Sequence, residues 1–317
     1  MKSPESGVVA VIVAWNRRDL LEEALRALLA QTAPLAGIVV IDNASDDDSA
    51  ALARRVAPEA EVVSLTRNTG GAGGFAAGMA HAMSQDPKWL WLMDDDTIPT
   101  ATALEELLVA VEKVPGVAVA GSRVVWTDGS DHPMNTPRRK PFVGRGESRR
   151  AENAAAIPVR SSSFVSMLIA AEAVAADGLP IVDYFLWNDD FEYSTRLLRR
   201  RAGIYVPASV VVHKTKKLGS SDADPGERFY FEVRNKLWML RISRSLSPAE
   251  KVLYGASTLR RWVRTFRLSS DRRTLRAVAR RGWRDGWRTK PLANSDVLAD
   301  QPATSRLIAL LSAAERP

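Results

Sequence analysis

Trp89-Leu90-Trp91-Leu92-Met93-Asp94-Asp95-Asp96 is a run of five apolar residues that stops on three carboxylates. An apolar run of that length, closed by polar residues, predicts a strand buried on both faces. The pattern recurs upstream. Residues 8–14 form a first apolar run, residues 38–41 a second that ends at Asp42, and residues 62–65 a third. Between the first two, Leu20, Leu21, Ala24, Leu25, Leu28 and Leu29 recur at helical spacing. Residues 49–55 read as a short helix, and a glycine cluster precedes a helix expected around residues 75–83. Strands alternating with helices in this way predict an α/β fold, a Rossmann-like and mostly parallel sheet flanked by helices. Ligands of such sheets sit beyond the carboxyl ends of the strands. Asn16, Asp42, Arg67 and the Asp94, Asp95, Asp96 triplet all fall at those ends, so one shared site is expected there.

Downstream, residues 104–111 predict a helix and residues 117–126 a strand. Residues 128–150, rich in Pro, Gly and Arg, predict a surface loop. A strand is expected over 161–170, a helix over 191–200, and two short strands over 204–206 and 210–212 leading to His213. From Gly226 onward only helices are expected. This divides the chain into a catalytic part, 1–225, and a basic helical part, 226–317.

Several constellations carry chemistry. Three adjacent carboxylates repel one another unless a cation neutralises them, and oxygen ligands of this kind suit Mg2+ or Mn2+ bridging a diphosphate. A solvated acidic turn is the alternative for such a triplet. His213, one of three histidines, is either a structural imidazole or a ligand that shifts preference toward Mn2+. Trp187-Asn188-Asp189-Asp190-Phe191-Glu192-Tyr193 sets three carboxylates among aromatic rings. One of them suits a general base acting on a sugar hydroxyl beside a flat aromatic platform. The same residues would also serve as an acidic first helical turn. Arg67-Asn68-Thr69-Gly70-Gly71-Ala72-Gly73-Gly74 lets backbone approach a phosphate ahead of a helix N-terminus, or is simply a flexible loop. Neither a strict G-x-G-x-x-G nor a G-x-x-x-x-G-K-[ST] pattern is completed.

The chain has 317 residues and no cysteine, which excludes disulfides, thiolate zinc sites and a cysteine nucleophile. Residues 1–6 run directly into an apolar strand, so no leader is expected, and no apolar run reaches the roughly eighteen residues of a membrane span. A cytoplasmic protein, soluble or peripheral, follows. The net charge of +7 is uneven: residues 241–290 hold fifteen Lys and Arg against Glu250, Asp271 and Asp285, a local +12. Leu259, Trp262, Val263 and Phe266 fall on one helical face, with Arg260, Arg261, Arg264 and Arg267 largely off it. Trp283 and Trp287 stand four apart among Arg280, Arg284 and Arg288. Basic amphipathic helices with tryptophan suit an anionic membrane surface at the inner face of the plasma membrane. A packing or dimerisation helix with solvated arginines is the plainer alternative, so homo-oligomerisation stays open. Nucleic acid is not expected, because no recognition motif accompanies these helices.

Taken together, these segments resemble the inverting glycosyltransferases of family 2, which have the GT-A fold. Ala14-Trp15-Asn16-Arg17 is similar to the end of the family's nucleotide-binding strand, and Val40-Ile41-Asp42-Asn43 to a second strand whose Asp contacts uridine. Arg67-Asn68-Thr69-Gly70-Gly71 resembles the loop before the donor site. Leu92-Met93-Asp94-Asp95-Asp96 resembles the metal motif, with Asp94 and Asp96 as ligands, Asp95 beside the donor, and His213 as a third ligand. Asp189-Asp190-Phe191-Glu192-Tyr193 resembles the motif that holds the base, Asp190 or Asp189. Phe229-Tyr230-Phe231-Glu232-Val233-Arg234-Asn235 resembles the following helix. The Trp187-Asn188-Asp189-Asp190 variant resembles the actinobacterial galactofuranosyltransferases that initiate arabinogalactan galactan. The resemblance implies transfer from UDP-galactofuranose to a polyprenyl-diphosphate-linked rhamnosyl-N-acetylglucosamine, with Mn2+ or Mg2+. Trp187, Glu192, Arg234 and Asn235 would stand on the acceptor and sugar side. A family 2 enzyme with another donor, such as a rhamnosyltransferase, and a non-catalytic glycan-binding scaffold are the competing readings.

Overall fold

The computed structural model describes residues 7–215 and 224–314, so the expectation for residues 1–6 lies outside it. Four strands, β1 (Val8–Ala14), β2 (Gly37–Asp42), β3 (Glu61–Ser64) and β4 (Trp89–Asp94), stand parallel in the order β3-β2-β1-β4. Helices α1 (Arg18–Leu29), α2 (Ser49–Val56) and α3 (Gly70–Met83) make the crossovers. On α1 the buried residues are Leu21, Ala24, Leu25 and Leu28, the one-face spacing that seats a helix on a sheet. The register pairs Val13 with Asp94 and Ala14 with Asp42, so the strand ends are level and Asp42 and Asp94 flank the end of β1.

The glycine cluster is not a loop. α3 begins at Gly70, so Gly71, Gly73 and Gly74 lie in its first turns. A Cβ on Gly74 would stand 2.4 Å from Val13 Cγ1, which no packing tolerates, and this glycine lets α3 press directly against β1. The helix N-terminus thereby comes level with the strand ends.

Beyond β4 the sheet is mixed. β9 (Met167–Ala170) runs antiparallel between β4 and β6 (Val117–Val125), and β10 (Ala202–His213) runs parallel to β6. The expected 161–170 strand is divided: β8 (Ile157–Ser161) ends, a 3-10 turn spans Phe164–Ser166, and β9 follows. The two strands expected before His213 are one, β10, with a register shift between Val206 and Val210. Pro207 lies inside that shift and has no N–H to give a ladder. A short strand not expected from the sequence, β5 (Thr97–Pro99), pairs antiparallel with the end of β10 and sets His213 opposite Thr97.

Residues 128–150 are not a plain loop either. They hold β7 (Arg138–Arg139), paired with β8, and α5 (Arg145–Asn153), and they bury His132 and Asn135. α4 (Ala103–Lys113), α6 (Ala171–Asp177) and α7 (Asp189–Leu197) complete this part. The remainder is helical as expected: α8 (Phe229–Arg241), α9 (Pro248–Leu268), α10 (Arg272–Arg288), α11 (Asn294–Val297) and α12 (Pro302–Ala314). Trp262 and Phe266 of α9 pack edge-on against Phe229, whereas Leu259 and Val263 are exposed beside Arg260, Arg264 and Arg267. The apolar face read from the sequence is thus split, half turned inward and half outward. Leu298 and Ile308 join the main core, and Thr304 Oγ1 lies 3.0 Å from His81 Nε2 on α3. No helix among the described residues is long and apolar enough to cross a membrane.

Candidate active site

Asp94 closes β4, and Asp96 stands two residues on, at the entry to β5. The β5–β10 pairing then carries His213 to the same point: ligand atoms of Asp94, Asp96 and His213 lie within 4.8 Å of one another. His213 Nε2 is 3.1 Å from Asp96 Oδ1, and its Nδ1 is 3.0 Å from Asn135 Oδ1. Asn135 Nδ2 in turn donates to Ser163 Oγ at 3.3 Å. The amide oxygen faces the imidazole, and the amide nitrogen faces Ser163. Nδ1 therefore carries a proton, which leaves Nε2, facing Asp96, as the ring nitrogen a metal ion could take. Asp96 Oδ1 is buried without a hydrogen-bond partner among the described residues. An imidazole nitrogen 3.1 Å from a carboxylate oxygen that has no hydrogen-bond partner among the described residues, with a further carboxylate alongside, is a ligand set that fits a divalent cation.

The charges around this group are unevenly balanced. Burial pushes the Asp94 carboxyl up to about 7, with Asp96 adding to the shift and His213 opposing it. Burial raises Asp95 to about 6 against the pull of Arg17. Burial acts upward on Asp96 too, but His213 and Arg17 outweigh it and hold that carboxyl below its usual range. The Arg17 guanidinium bonds Asp96 and lies 3.2 Å from Asp95 Oδ1, while Asp95 Oδ2 accepts from the Trp15 N–H at 3.0 Å. Asp95 thus ties the end of β1 to the end of β4.

A cavity of about 470 Å³ opens beside Asp94. Its walls are the N-terminus of α3 at Gly71, residues 133–138 and 161–165, the turn 187–191, and the inner faces of α8 and α9. Asp189 and Asp190 both line it. Burial pushes Asp189 up to about 8, with Asp190 and Asp94 adding to the shift. Burial also raises Asp190, but the Phe191 N–H, Lys236 and Arg138 all act against that rise. Asp190 is accordingly the more readily ionised of the pair.

The turn that presents this pair is strained: Phe185, Trp187 and Asn188 have φ of 64°, 64° and 65°, in the left-handed region. Asn235, wholly buried, holds it in place by donating from Nδ2 to the carbonyls of Tyr184, Leu186 and Trp187 at 2.8, 2.9 and 2.9 Å. Arg234 donates to the Asp183 carbonyl. Neither lines the cavity, and in this structure both brace the turn. Glu192 is buried as well and accepts from Arg196 and Ser243, which turns it into a clamp on α7. Of the expected sugar-side residues, Trp187 alone lines the cavity.

Ala14, Asn16, Arg17, Asp42, Arg67 and Asn68 follow the strand ends but do not line the enclosed cavity. Asn16 Oδ1 accepts from the Asp46 N–H at 2.7 Å, and Asp42 Oδ1 from the Ser45 N–H at 3.1 Å, so these two shape neighbouring turns. Asn68 Oδ1 accepts from the Gly70 N–H at 2.7 Å. Arg67 turns away, bonding the Val297 carbonyl and pairing with Asp300 at 3.2 Å. Gly70 takes φ 70° beneath Phe185, and Gly71 opens onto Asp189.

The sequence reading missed Asn135, Arg138 and Lys236, and it took Arg261 only as one of the arginines off the apolar helical face. The first two sit in the stretch read as a loop, and nothing in their surroundings marks them. Lys236 did carry a signal, since it stands among the apolar Val233, Leu237 and Trp238 in a segment expected to be helical.

The glycosyl transferase family 2 pattern matches residues 9–172 of this chain. The chain belongs to glycosyltransferase family 2. Galactofuranosyltransferase GlfT1 of Mycobacterium tuberculosis is 33% identical to this family 2 glycosyltransferase over 254 residues, 74% of this chain and 82% of that protein. The GlfT1 protein of Mycolicibacterium smegmatis is 28% identical over 296 residues, 84% of this chain and 97% of its own length. Among solved structures, S. aureus TarS 1-349 in complex with UDP-GlcNAc superposes with a TM-score of 0.62 at 14% identity, covering 97% of this chain and 88% of that one. The mannosyltransferase PcManGT from Pyrobaculum calidifontis, in complex with GDP-Man and Mn2+, superposes with a TM-score of 0.54 at 18% identity, covering 97% and 85%. The glycosyltransferase thus has the GT-A fold, with a helical C-terminal region.

Proposed function

We propose that this enzyme is an inverting galactofuranosyltransferase that transfers galactofuranose from UDP-galactofuranose to a polyprenyl-diphosphate-linked rhamnosyl-N-acetylglucosamine. The observation that carries this reading is one cavity whose lining joins Asp94, of the convergent Asp94, Asp96 and His213 group, to Asp189 and Asp190. The two GlfT1 relatives bear the name galactofuranosyltransferase, which supports the choice of sugar. Asp94, Asp96 and His213 would hold Mn2+ or Mg2+, whose charge neutralises a leaving diphosphate. Asp42 and the Ala14, Asn16, Arg17 strand end, outside the enclosed cavity, are placed to take the nucleoside.

Asp190 acts as the base. It must be ionised to accept the acceptor hydroxyl proton, and its neighbours Lys236 and Arg138 favour that state. Asp189 faces two carboxylates instead and keeps its proton more readily. The freed alkoxide attacks the anomeric carbon opposite the leaving group in a single displacement. No second carboxylate is needed as nucleophile, so the configuration inverts, by analogy with the single-displacement geometry of glycoside hydrolysis. Trp187 floors the sugar. Residues 1–225 form the catalytic part. Within 226–317 the outward stripe of Leu259, Val263 and Leu268 among Arg260, Arg264 and Arg267 would meet an anionic lipid surface on the cytoplasmic side.

The test is Asp190→Asn, assayed by mass spectrometry with UDP-galactofuranose and a synthetic lipid-linked disaccharide. Loss of general-base catalysis lowers turnover by about 10²–10⁴. UDP affinity stays close to that of the parent protein. Near-normal turnover in the variant would remove Asp190 from the mechanism.

A further inference from the structure

The end of the cavity away from Asp94 is basic. Lys236 lines it from α8 and is 5% exposed, yet its Nζ has neither a hydrogen bond nor an ion pair within reach among the described residues. Its nearest ring is Phe191, whose centroid is 5.1 Å from Nζ. Arg138, from β7, lays its guanidinium over the same ring at 5.0 Å and over Tyr254 at 5.5 Å, likewise without an ion pair among the described residues. Arg261 enters from α9 and is already paired with Glu232.

A buried ammonium without a hydrogen-bonded partner is unfavourable, and burial draws the Lys236 pKa down to about 8. Asp190 alone would be balanced by one cation. Here two cations, Lys236 and Arg138, both act on it, and Glu232, the other carboxylate acting on Lys236, is already paired with Arg261. This excess of positive charge opens into the cavity and is what an anionic ligand group would complete.

We propose that Lys236 and Arg138, backed by Arg261, form a subsite for a phosphate or diphosphate group carried by the acceptor. The inference rests on the reading that this cavity holds the acceptor. The donor's diphosphate is assigned elsewhere, to the group of Asp94, Asp96 and His213, whose ligand atoms lie within 4.8 Å of one another. Arg261 and Trp262 line the cavity from the inner side of the same helix whose Leu259, Val263 and Leu268 face outward. An acceptor with its sugar at Asp190 and its phosphates at Lys236 would then leave the cavity beside an apolar surface.

Two measurements test this. The first is calorimetric titration of inorganic pyrophosphate into the full chain in EDTA, where no divalent cation contributes. The parent protein binds, and Arg138→Gln, on an exposed side chain whose loss leaves the fold intact, weakens binding by about tenfold, as expected for one charge-assisted hydrogen bond. Lys236→Met weakens it at least as far. Equal binding by parent and both variants would overturn the subsite.

The second compares kcat/KM for the disaccharide on a prenyl diphosphate with that for the same disaccharide on a neutral alkyl chain. The preference for the diphosphate collapses in Arg138→Gln, while UDP affinity does not move. A parallel loss of UDP affinity would assign the subsite to the donor and overturn the acceptor assignment. If the parent protein transfers galactofuranose to neither acceptor, the proposed function fails, while the pyrophosphate titration still decides the anion site.

Discussion

Asn135→Ala removes no ligand from the Asp94, Asp96, His213 group, yet it is expected to weaken Mn2+ binding about 10–100-fold, the usual effect of losing the partner that orients a metal-binding histidine. The magnitude follows from one proton. In the present geometry the His213 Nδ1–H donates to Asn135 Oδ1 at 3.0 Å, which leaves Nε2, 3.1 Å from Asp96 Oδ1, as the ring nitrogen a metal ion would take. Without the amide oxygen, nothing holds the proton on Nδ1. The other tautomer then places it on Nε2, where it bonds Asp96 directly. A metal ion must break that bond before it can enter. A hydrogen bond to a charged group contributes about 1.5–3 kcal/mol, which corresponds to roughly 10–150-fold in affinity and matches the range above. The assay is calorimetric titration of Mn2+ into metal-free protein, with thermal unfolding of the apo form as a control for folding. Asn135→Asp keeps an acceptor toward Nδ1, while Ser163 can turn its own hydroxyl to donate, so this variant should bind within a few-fold of the parent. If Asn135→Ala binds Mn2+ within twofold of the parent with unchanged apo stability, the tautomer is not set by Asn135 and the reasoning fails.

Three further outcomes are expected. Gly74→Ala places a methyl 2.4 Å from Val13 Cγ1 and should destabilise the fold by about 1–3 kcal/mol, seen as a lower urea midpoint without a change in slope. Glu250 is held down at about 2: burial acts the other way, but Arg160 and Ser247 outweigh it. Because its folded pKa lies below the ordinary 4.5, the stability it contributes is fully present above that value and is lost as pH falls toward about 2. Discounted for solvent screening, this is about 1–2 kcal/mol, so the gap in unfolding free energy between the parent and Glu250→Gln should close across that window. A gap independent of pH would contradict it. For the outward face of α9, replacing Leu259, Val263 and Leu268 together by Ser should abolish flotation with anionic liposomes while leaving UDP binding intact, and unchanged flotation would show that the stripe is not the lipid contact.

The parallel half of the sheet was legible because each of its strands is a continuous apolar run buried on both faces, with a helix-period segment between. The strand ends carried Asp42 and Asp94 where the register later placed them level. The glycines at 70–74 were misread for a reason of packing. Glycine disfavours a helix interior by propensity, and only the approach of α3 to Val13, a contact between distant segments, makes it the residue that fits. The mixed half failed in the other direction. β8, the 3-10 turn and β9 are each so short that period counting cannot separate them, and β5 exists only because β10 lies beside it. Arg234 and Asn235 stand in the motif that the resemblance quoted, but a motif fixes the residue types and not the direction in which their side chains point. Asn235 points into the fold because the carbonyls of Tyr184, Leu186 and Trp187 converge on it in the turn that Phe185, Trp187 and Asn188 make.

The site sits where the two halves of the sheet meet, and that placement determines its chemistry. The parallel half delivers carboxylates at the end of β4, and the β5–β10 pair returns a histidine to the same point from more than a hundred residues away. Neither half alone brings Asp94, Asp96 and His213 together. The acidic row continues from Asp94 to Asp189 and Asp190, which would be prohibitively repulsive if all were ionised at once. The structure answers this at both ends. Arg17 lies against Asp95 and Asp96, Lys236 and Arg138 act on Asp190, and Asp189 between them is left to hold a proton. A gradient of this kind separates roles that the sequence could only name together. The carboxylate nearest the imidazole is suited to a metal, the one nearest the lysine is suited to take a proton, and the one between suits neither task so long as both neighbours are charged. Exchanging the environments rather than the residues, for instance by removing Lys236, should therefore move the base function away from Asp190 before it disturbs metal binding at Asp94.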